Sequence, residues 1–181
     1  MSRPPHARER VLDALETLLI DEGGRAATIE ATARAAGVSK GGLLYHFGSR
    51  EALEAGLIER LATLVDADIE EMSTAPEGPV AYFVRTSAMS THPLDRTMVA
   101  LARLAQGGSA PAAASLRATR ERWMQALRPH TADQTGLDLV MLVSDGLYYD
   151  SALVETGADG SVPTGGAMDA LVALVVRATK P

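Results

Sequence analysis

Side chains that suit contact with an anionic surface are concentrated between positions 28 and 50 of the 181-residue chain. Lysine and arginine neutralise phosphate charge, whereas hydroxyl and imidazole groups donate hydrogen bonds to phosphate oxygens. Glycines near a helix start let the backbone come close to a partner. The candidate contact residues are Thr28, Ser39, Lys40, Gly41, Gly42, Leu44, Tyr45, His46 and Arg50.

Several of these candidates also have a simple structural interpretation. Lys40 is either a phosphate or guanine contact or a solvated surface lysine, and its place at the start of a predicted helix favours the contact. Gly41 and Gly42 serve either close approach to a partner or loop flexibility. Tyr45 and His46 either donate to phosphate oxygens or pack as a half-buried pair against the first helix.

Three further candidates have their own alternatives. Thr28 and Arg50 lie at predicted helix starts, where backbone amides attract phosphate. Arg50 could instead pair with Glu54, one turn further along. Leu44 either touches a thymine methyl group or packs within the protein.

Histidine, the usual proton-transfer residue, is not organised for catalysis in this chain. The four histidines fall in separate predicted elements, and no HExxH, GxSxG, GxxxxGK[ST] or GxGxxG motif organises them. Cysteine is absent, which excludes disulfides, thiolate zinc sites and cysteine nucleophiles. We therefore predict a protein that is not an enzyme, with no catalytic residue, no metal site and no cofactor.

The candidate residues lie on two short predicted helices around a tight turn. Thr28 can cap the first helix, and Ala33 is small enough for a second helix to cross closely over it. Gly37 ends the first helix, because glycine adopts the left-handed conformation at little cost. Ser39 caps the second helix, whose buried side begins at Leu43. This layout predicts a helix-turn-helix.

The segment resembles the amino-terminal signature of the TetR family of bacterial transcriptional regulators, T-x-x-x-[IVA]-A-x-x-[AS]-G-V-S-x-G-x-[LIF]-Y-x-[HY]-F-x-[ST]-[KR]-E-x-L. The resemblance covers about the first quarter of the chain and implies a helical DNA-binding regulator, usually a repressor. Thr32 stands where the family usually has an aliphatic residue, and Leu44 stands where it usually has an aromatic one. The matching residues are Thr28, Ala33, Ala36, Gly37, Val38, Ser39, Gly41, Leu43, His46, Phe47, Ser49, Arg50, Glu51 and Leu53.

Helical periodicity continues through the rest of the chain, and no segment alternates as a strand would. We predict an all-α fold of about nine helices, with a three-helix, helix-turn-helix DNA-binding head over residues 1–48 and a helical effector-binding and dimerisation body over residues 49–181. The other predicted helices span His6–Glu22, Ser49–Met72, 80–91, a short stretch ending at Gln106, Pro111–Arg128, 133–156 and 164–179.

The net charge of −6 is unevenly distributed. Residues 1–50 carry seven basic and six acidic groups, a net charge of +1, so the remaining residues carry −7. A modestly basic head is adequate if two copies bind together, because phosphate affinity depends on local cations. No signal-peptide pattern is present and no apolar run approaches about 18 residues, so we expect a cytoplasmic protein with no membrane contact.

Two adjacent apolar stripes on the last two predicted helices could form a four-helix interface across a two-fold axis. A helix-turn-helix protein normally binds paired half-sites through such symmetry, which favours a homodimer. The alternative is that the stripes fill the core of a single chain. The stripe residues are Leu137, Val140, Met141, Val143, Ser144, Leu147, Leu171, Leu174, Val175 and Ala178.

A long helix running from the head into the body would let a small molecule in the body change the spacing of two heads. Thioether and aromatic side chains offer adaptable surface for an apolar or cationic aromatic effector, and Asp145 and Asp150 could hold its charge. Core packing is the competing interpretation for each residue. The candidate ligand residues are Met89, Met98, Trp123, Met124, Met141, Asp145, Tyr148 and Tyr149.

These patterns together predict a ligand-responsive transcriptional regulator that binds a palindromic operator as a homodimer and is released by a small molecule. Repression is what the family resemblance implies. The alternative is a helical protein-interaction module that has lost specific DNA binding, which Leu44 and the weak positive charge of the head favour.

Overall fold

The computed structural model describes residues 6–88, 92–154 and 162–181. Within these ranges the chain forms nine α-helices and a short 3-10 helix, and none of the described residues is in a strand, as predicted. No helix in the described part of the chain is long and apolar enough to span a membrane. The α-helices are α1 (His6–Asp21), α2 (Ile29–Ala35), α3 (Lys40–Phe47), α4 (Arg50–Thr74), α5 (Pro79–Thr86), α6 (Pro93–Gln106), α7 (Ala110–Leu127), α8 (Gln134–Val154) and α9 (Gly166–Thr179), and the 3-10 helix spans Arg128–His130.

The predicted helix bounds agree with the structure to within two residues except at α5. That helix was expected over 80–91 but ends at Thr86, and positions 89–91 lie outside the described residues. The Ser87 hydroxyl donates to the Phe83 carbonyl oxygen at 2.6 Å, and the Thr86 hydroxyl donates to that of Tyr82 at 3.0 Å. Such bonds compete with the helical ladder and favour a helix end.

The chain forms two compact units. The first comprises the described residues up to Val65 together with Pro93–Thr119, and the second comprises the described residues of 66–92 and 120–181. Both α4 and α7 have residues in each unit. The domain boundary predicted between residues 48 and 49 separates the helix-turn-helix from the rest and stays a prediction.

The core of the first unit surrounds the apolar stripe of α1. Leu43 of α3 and Leu57 of α4 have no exposed surface. Burial of each such side chain stabilises the fold by about 1.5–3 kcal/mol, which fixes α3 against its supporting helices. The α1 residues of this core are those that the periodicity predicts, namely Val11, Leu12, Leu15, Leu18 and Leu19.

Gly56 on α4 allows a close approach of three helices. A Cβ atom at this position would lie 2.7 Å from Cε1 of Phe47 on α3 and 3.2 Å from Cδ2 of Leu12 on α1. Real Cβ atoms almost never make contacts as short as the first, and cores are too densely packed to yield easily. Helix α3, which is the second helix of the helix-turn-helix and is called the recognition helix below, therefore packs directly on the backbone of α4.

The second unit has its own apolar core, to which α5, α8 and α9 contribute. Most of the stripe assigned to a dimer interface is buried in this core, so that assignment is wrong for Leu137, Val140, Met141, Ser144, Leu147 and Val175. The apolar side chains that face outward on α8 and α9 are mostly different ones, namely Leu139 (38% exposed), Leu142 (67%), Tyr149 (65%) and Leu174 (51%).

Thr32 on α2 should stabilise the fold less than the aliphatic residue that the TetR signature usually has at this position. Its side chain is fully buried, and its hydroxyl oxygen has no hydrogen-bond partner among the residues that the structure describes. The substitution Thr32→Val removes this unsatisfied group with little change of shape, so we expect the free energy of unfolding in urea to rise by about 1 kcal/mol.

Thr97→Val is the matched control, because Thr97 is equally buried but its hydroxyl donates to Oε1 of Glu16 at 2.6 Å. Loss of that bond should lower the free energy of unfolding by about 1–3 kcal/mol. A Thr32→Val protein that is no more stable than the wild type would contradict the expectation.

Candidate functional site

The helix-turn-helix is formed by α2 and α3, and hydroxyl groups cap both helices. Thr28 Oγ1 accepts a hydrogen bond from the Ala31 amide at 3.1 Å, and Ser39 Oγ accepts one from the Gly42 amide at 3.0 Å. Gly37, in the turn between the helices, has a φ of 65°. Thr28 and Ser39 are therefore helix caps, whose contribution to DNA contact stays a prediction.

The outward face of α3 carries most of the predicted contact residues. Lys40, Gly41 and Tyr45 are exposed, and Tyr45 is the most exposed large hydrophobic side chain among the described residues, at 73%. Leu44 and His46 are half-buried beside them. The Tyr45 and His46 rings meet edge to face with centroids 5.5 Å apart, so they form one polar and aromatic surface.

The two glycines of α3 have different surroundings. A Cβ atom at Gly42 would lie 3.2 Å from the capping oxygen of Ser39, which gives this glycine a reason within the protein. A Cβ atom at Gly41 would meet nothing within 4 Å. The open space at Gly41 is suited to a partner that approaches the helix backbone.

An exposed ion pair with Glu30 holds the Lys40 side chain at the outward face of α3. Its Nζ atom lies 2.7 Å from Oε1 of Glu30 on α2, and hydrogen bonding from Lys40 is the main cause of the lowered pKa of that carboxyl group. Both side chains are mostly exposed. Exposed pairs of this kind contribute little to stability, so Lys40 can exchange Glu30 for a phosphate or a base.

Arg50 has a structural contact that neither sequence interpretation anticipated. Its guanidinium donates to the carbonyl oxygen of Ala27 at 2.5 Å and to that of Gly24 at 3.0 Å. These bonds tie the start of α4 to the loop that precedes α2. A phosphate contact by Arg50 stays a prediction, and it would have to share the guanidinium with these carbonyl groups.

The predicted ligand residues are not gathered in one unit. Met98 lies in the first unit, whereas Met89 lies outside the described residues. Met141 is almost fully buried, and Tyr149 is 65% exposed. Half-buried members of the second unit are Trp123, Met124 and Tyr148.

Asp145, expected to hold an effector cation, already has a cationic partner. Arg120 Nη2 lies 2.9 Å from its Oδ2 atom. The other Arg120 amino group is 3.1 Å from the sulfur of Met124. A ligand cation at Asp145 would therefore compete with Arg120 for this carboxylate.

A polar and aromatic cluster in the second unit surrounds a different carboxylate, Asp68 of α4. Trp123 Nε1 donates to Asp68 Oδ2 at 2.8 Å, and the Trp123 ring lies against Phe83 with centroids 5.6 Å apart. The Tyr82 hydroxyl lies 3.3 Å from Asp68 Oδ1 and 3.1 Å from Glu71 Oε2. It has one proton, so it can donate to only one of the two carboxylates at a time.

Burial raises the pKa of Asp68, and the nearby Glu71 raises it further. Hydrogen bonds from Trp123 and Tyr82 and the proximity of His92 act in the opposite direction but do not cancel the effect. The pKa of Tyr82 is also raised, first by burial and then by the adjacent carboxylates. A cation at this cluster would relieve the cost of holding Asp68 ionised.

The sequence contains a signal for Asp68 that our prediction did not use. The residue lies three positions after Val65 and four before Met72, and both of those side chains are buried. Asp68 therefore occupies the apolar stripe of α4. A carboxylate on a buried stripe is a stronger indication of a site than one on a solvated face.

Comparisons with known proteins agree with this geometry. Residues 11–55 match the sequence model for bacterial regulatory proteins of the tetR family. No curated protein matches the chain in a sequence search. The matched segment spans most of α1, all of α2 and α3, and the start of α4, and it includes every predicted DNA contact.

Solved structures of similar fold cover nearly the whole chain. GusR of Salmonella enterica has a TM-score of 0.69 and 18% identity, covering 98% of this chain and 97% of GusR. NalD, the secondary repressor of the MexAB-OprM multidrug efflux pump in Pseudomonas aeruginosa, has a TM-score of 0.65 and 18% identity, with coverages of 96% and 95%. A Saccharomonospora viridis structure in complex with choline has a TM-score of 0.65 and 19% identity, with coverages of 95% and 94%.

The structural likeness establishes the all-helical fold, and the sequence match establishes the identity of the helix-turn-helix. Both agree with the resemblance found in residues 28–53. Residues 11–55 therefore match the tetR family of bacterial regulatory proteins, and the whole chain shares the fold of GusR.

Proposed function

We propose that the chain is a ligand-responsive repressor that binds a palindromic operator in the cytoplasm as a homodimer and leaves it when a small apolar or cationic aromatic molecule binds. The observation that carries this proposal is the outward face of α3, where Lys40, Gly41 and Tyr45 are exposed on a capped helix. TetR-family proteins are DNA-binding regulators and not enzymes.

The chemistry of α3 suits the major groove of DNA. Helix-turn-helix proteins place the start of their second helix against base edges, and Lys40 is the first residue of α3. Its ammonium group can donate to a guanine or a phosphate once it leaves Glu30. Tyr45 and His46 can donate to phosphate oxygens, which fix the register without reading sequence.

Lys40→Ala should weaken operator binding about tenfold for each head and reduce the slope of log affinity against log salt by about 0.9 for each head, because each copy of the dimer loses one phosphate or base contact. The measurement is a gel shift at two salt concentrations with DNA from upstream of the gene. Lys180→Ala is the matched control, since Lys180 is the only other lysine and is also exposed.

Unchanged affinity in Lys40→Ala, with dimerisation intact, would remove Lys40 from the interface. A wild-type protein with no salt-sensitive complex on any neighbouring promoter would instead favour the protein-interaction module. The two results are distinct because the second is seen before any substitution is made.

The proposed homodimer is supported by the outward faces of α8 and α9. Leu139, Leu142 and Tyr149 recur on α8 at helical spacing and are exposed, as is Leu174 of α9. Exposed apolar side chains on two neighbouring helices are typical of a two-fold interface in which the same surface of each copy meets its counterpart. Two copies would place two α3 helices on paired half-sites.

Leu142→Glu should convert the dimer to a monomer at micromolar concentration, because a charge would be buried against a like charge from the other copy. Sedimentation velocity measures the change. Gln125→Glu, an added charge at an exposed position of α7, should leave the dimer intact. A wild-type protein that sediments as a monomer at all concentrations would contradict the homodimer.

The Asp68 cluster supports a cationic aromatic effector. Trp123, Tyr82 and Phe83 provide aromatic surface, which attracts cations, and Asp68 and Glu71 provide negative charge. The fold-level relative from Saccharomonospora viridis was solved with choline, a quaternary ammonium compound. Asp68 thus takes the role that the sequence had suggested for Asp145.

Asp68→Asn should weaken binding of benzyltrimethylammonium, an aromatic permanent cation, by about tenfold, since it keeps the hydrogen-bond acceptor but removes the charge. Binding by the wild type should strengthen as pH rises through the elevated pKa of Asp68, because the cation requires the ionised carboxylate. Titration calorimetry at several pH values measures both effects. Asp145→Asn is the control, since Asp145 is already paired with Arg120.

Benzoate, an aromatic anion, is titrated in the same experiment as the ligand of opposite charge. A protein that binds benzoate but no cation, or whose cation affinity is unchanged by Asp68→Asn, would contradict the cationic effector. Neither outcome would bear on the DNA contact by Lys40.

A further inference from the structure

A polar cleft of about 570 Å³ lies in the first unit among residues of α1, α4 and α6. Arg60 of α4 contacts three carboxylates of α1 across it. Its Nη2 atom lies 2.6 Å from Oε2 of Glu9, while Nη1 lies 2.8 Å from Oδ1 of Asp13 and 3.2 Å from Oε1 of Glu16. One guanidinium thus bridges two successive turns of α1.

The contacts of Arg60 are partly desolvated and geometrically demanding. Its side chain is 14% exposed, and that of Glu16 is 5% exposed. Glu16 also accepts a hydrogen bond from the Thr97 hydroxyl of α6 at 2.6 Å. Buried ion pairs contribute less to stability than their charge suggests, but removal of one partner leaves an uncompensated charge. Such a network favours one relative arrangement of α1, α4 and α6 over slightly different arrangements of the same helices.

The same region of α4 also holds the recognition helix. Gly56 lies one turn before Arg60 and makes room for Phe47 at the end of α3. The guanidinium of Arg8 on α1 lies over the Phe47 ring, 5.3 Å from its centroid, and Arg8 Nη2 is 2.8 Å from Oε2 of Glu59. The end of α3 is therefore packed between α1 and α4, and the angle between those two helices determines its orientation.

We propose that Arg60 is a positioning residue for DNA reading. Its three carboxylate contacts set the angle between α4 and α1, and packing around Phe47 transmits that angle to α3. The inference rests on the proposed DNA binding, and Arg60 acts through α3 and not through a contact of its own with the operator.

The test measures helix position and operator affinity separately. The chain has no cysteine, so Arg10→Cys on α1 and Ala55→Cys on α4 provide a unique pair of exposed spin-label sites. Labelled chains are diluted with unlabelled wild type, so that only distances within one chain are measured by pulsed electron resonance. Operator affinity is measured on unlabelled protein at a temperature where every variant is fully folded.

Arg60→Met should broaden or shift the distance distribution and weaken operator binding by about tenfold. Arg60→Lys, which keeps the charge but not the forked geometry, should restore part of both. Arg96→Met is the matched control because Arg96 lines the same cleft but, among the described residues, donates one hydrogen bond, to Thr17 at 3.1 Å. It should change neither readout.

A wild-type distance distribution in Arg60→Met would overturn the proposal, even if the melting temperature fell, because the residue would then be only a stabilising one. Unchanged operator affinity despite an altered distance would also overturn it. If the wild type binds no operator, the proposed function fails, whereas the distance measurement still decides whether Arg60 sets the helix angle. Should Arg60→Met fail to fold, Glu16→Gln, which keeps an acceptor for Thr97, takes its place with the same expected and contradicting results.

Discussion

The position of the recognition helix depends on the absence of a side chain at Gly56. Any Cβ atom there would press on Phe47 and Leu12, so α1, α3 and α4 could not meet as they do. Dense packing transmits small displacements, because a core has no free volume to absorb them. The position of the outward face of α3 is therefore determined by the contact between Phe47 and the backbone at Gly56. Helix α3 has eight residues and is too short to be stable alone.

The cationic side chains of the first unit that are described above bind mainly to other groups of the protein. Few cations are therefore left to attract DNA, which is consistent with the acidic net charge of the chain. Arg50 is bound to backbone carbonyl groups, Arg60 to three carboxylates, and Lys40 to Glu30. Of these three, only the Lys40 pair is exposed on both sides and easily exchanged. Electrostatic attraction by a single head is therefore modest, and the proposed homodimer would add the attraction of a second head.

Local signals predicted most of the helices and the candidate DNA-binding surface, because caps and glycine turns act over a few residues. The caps of Thr28 and Ser39 and the turn at Gly37 are examples. The apolar stripe of α8 was misassigned for a different reason. Periodicity shows which residues share a face, but both faces of α8 carry leucine, so the sequence did not distinguish buried Leu137 from exposed Leu142. The partners of Asp145 and Asp68 lie on other helices and required the fold.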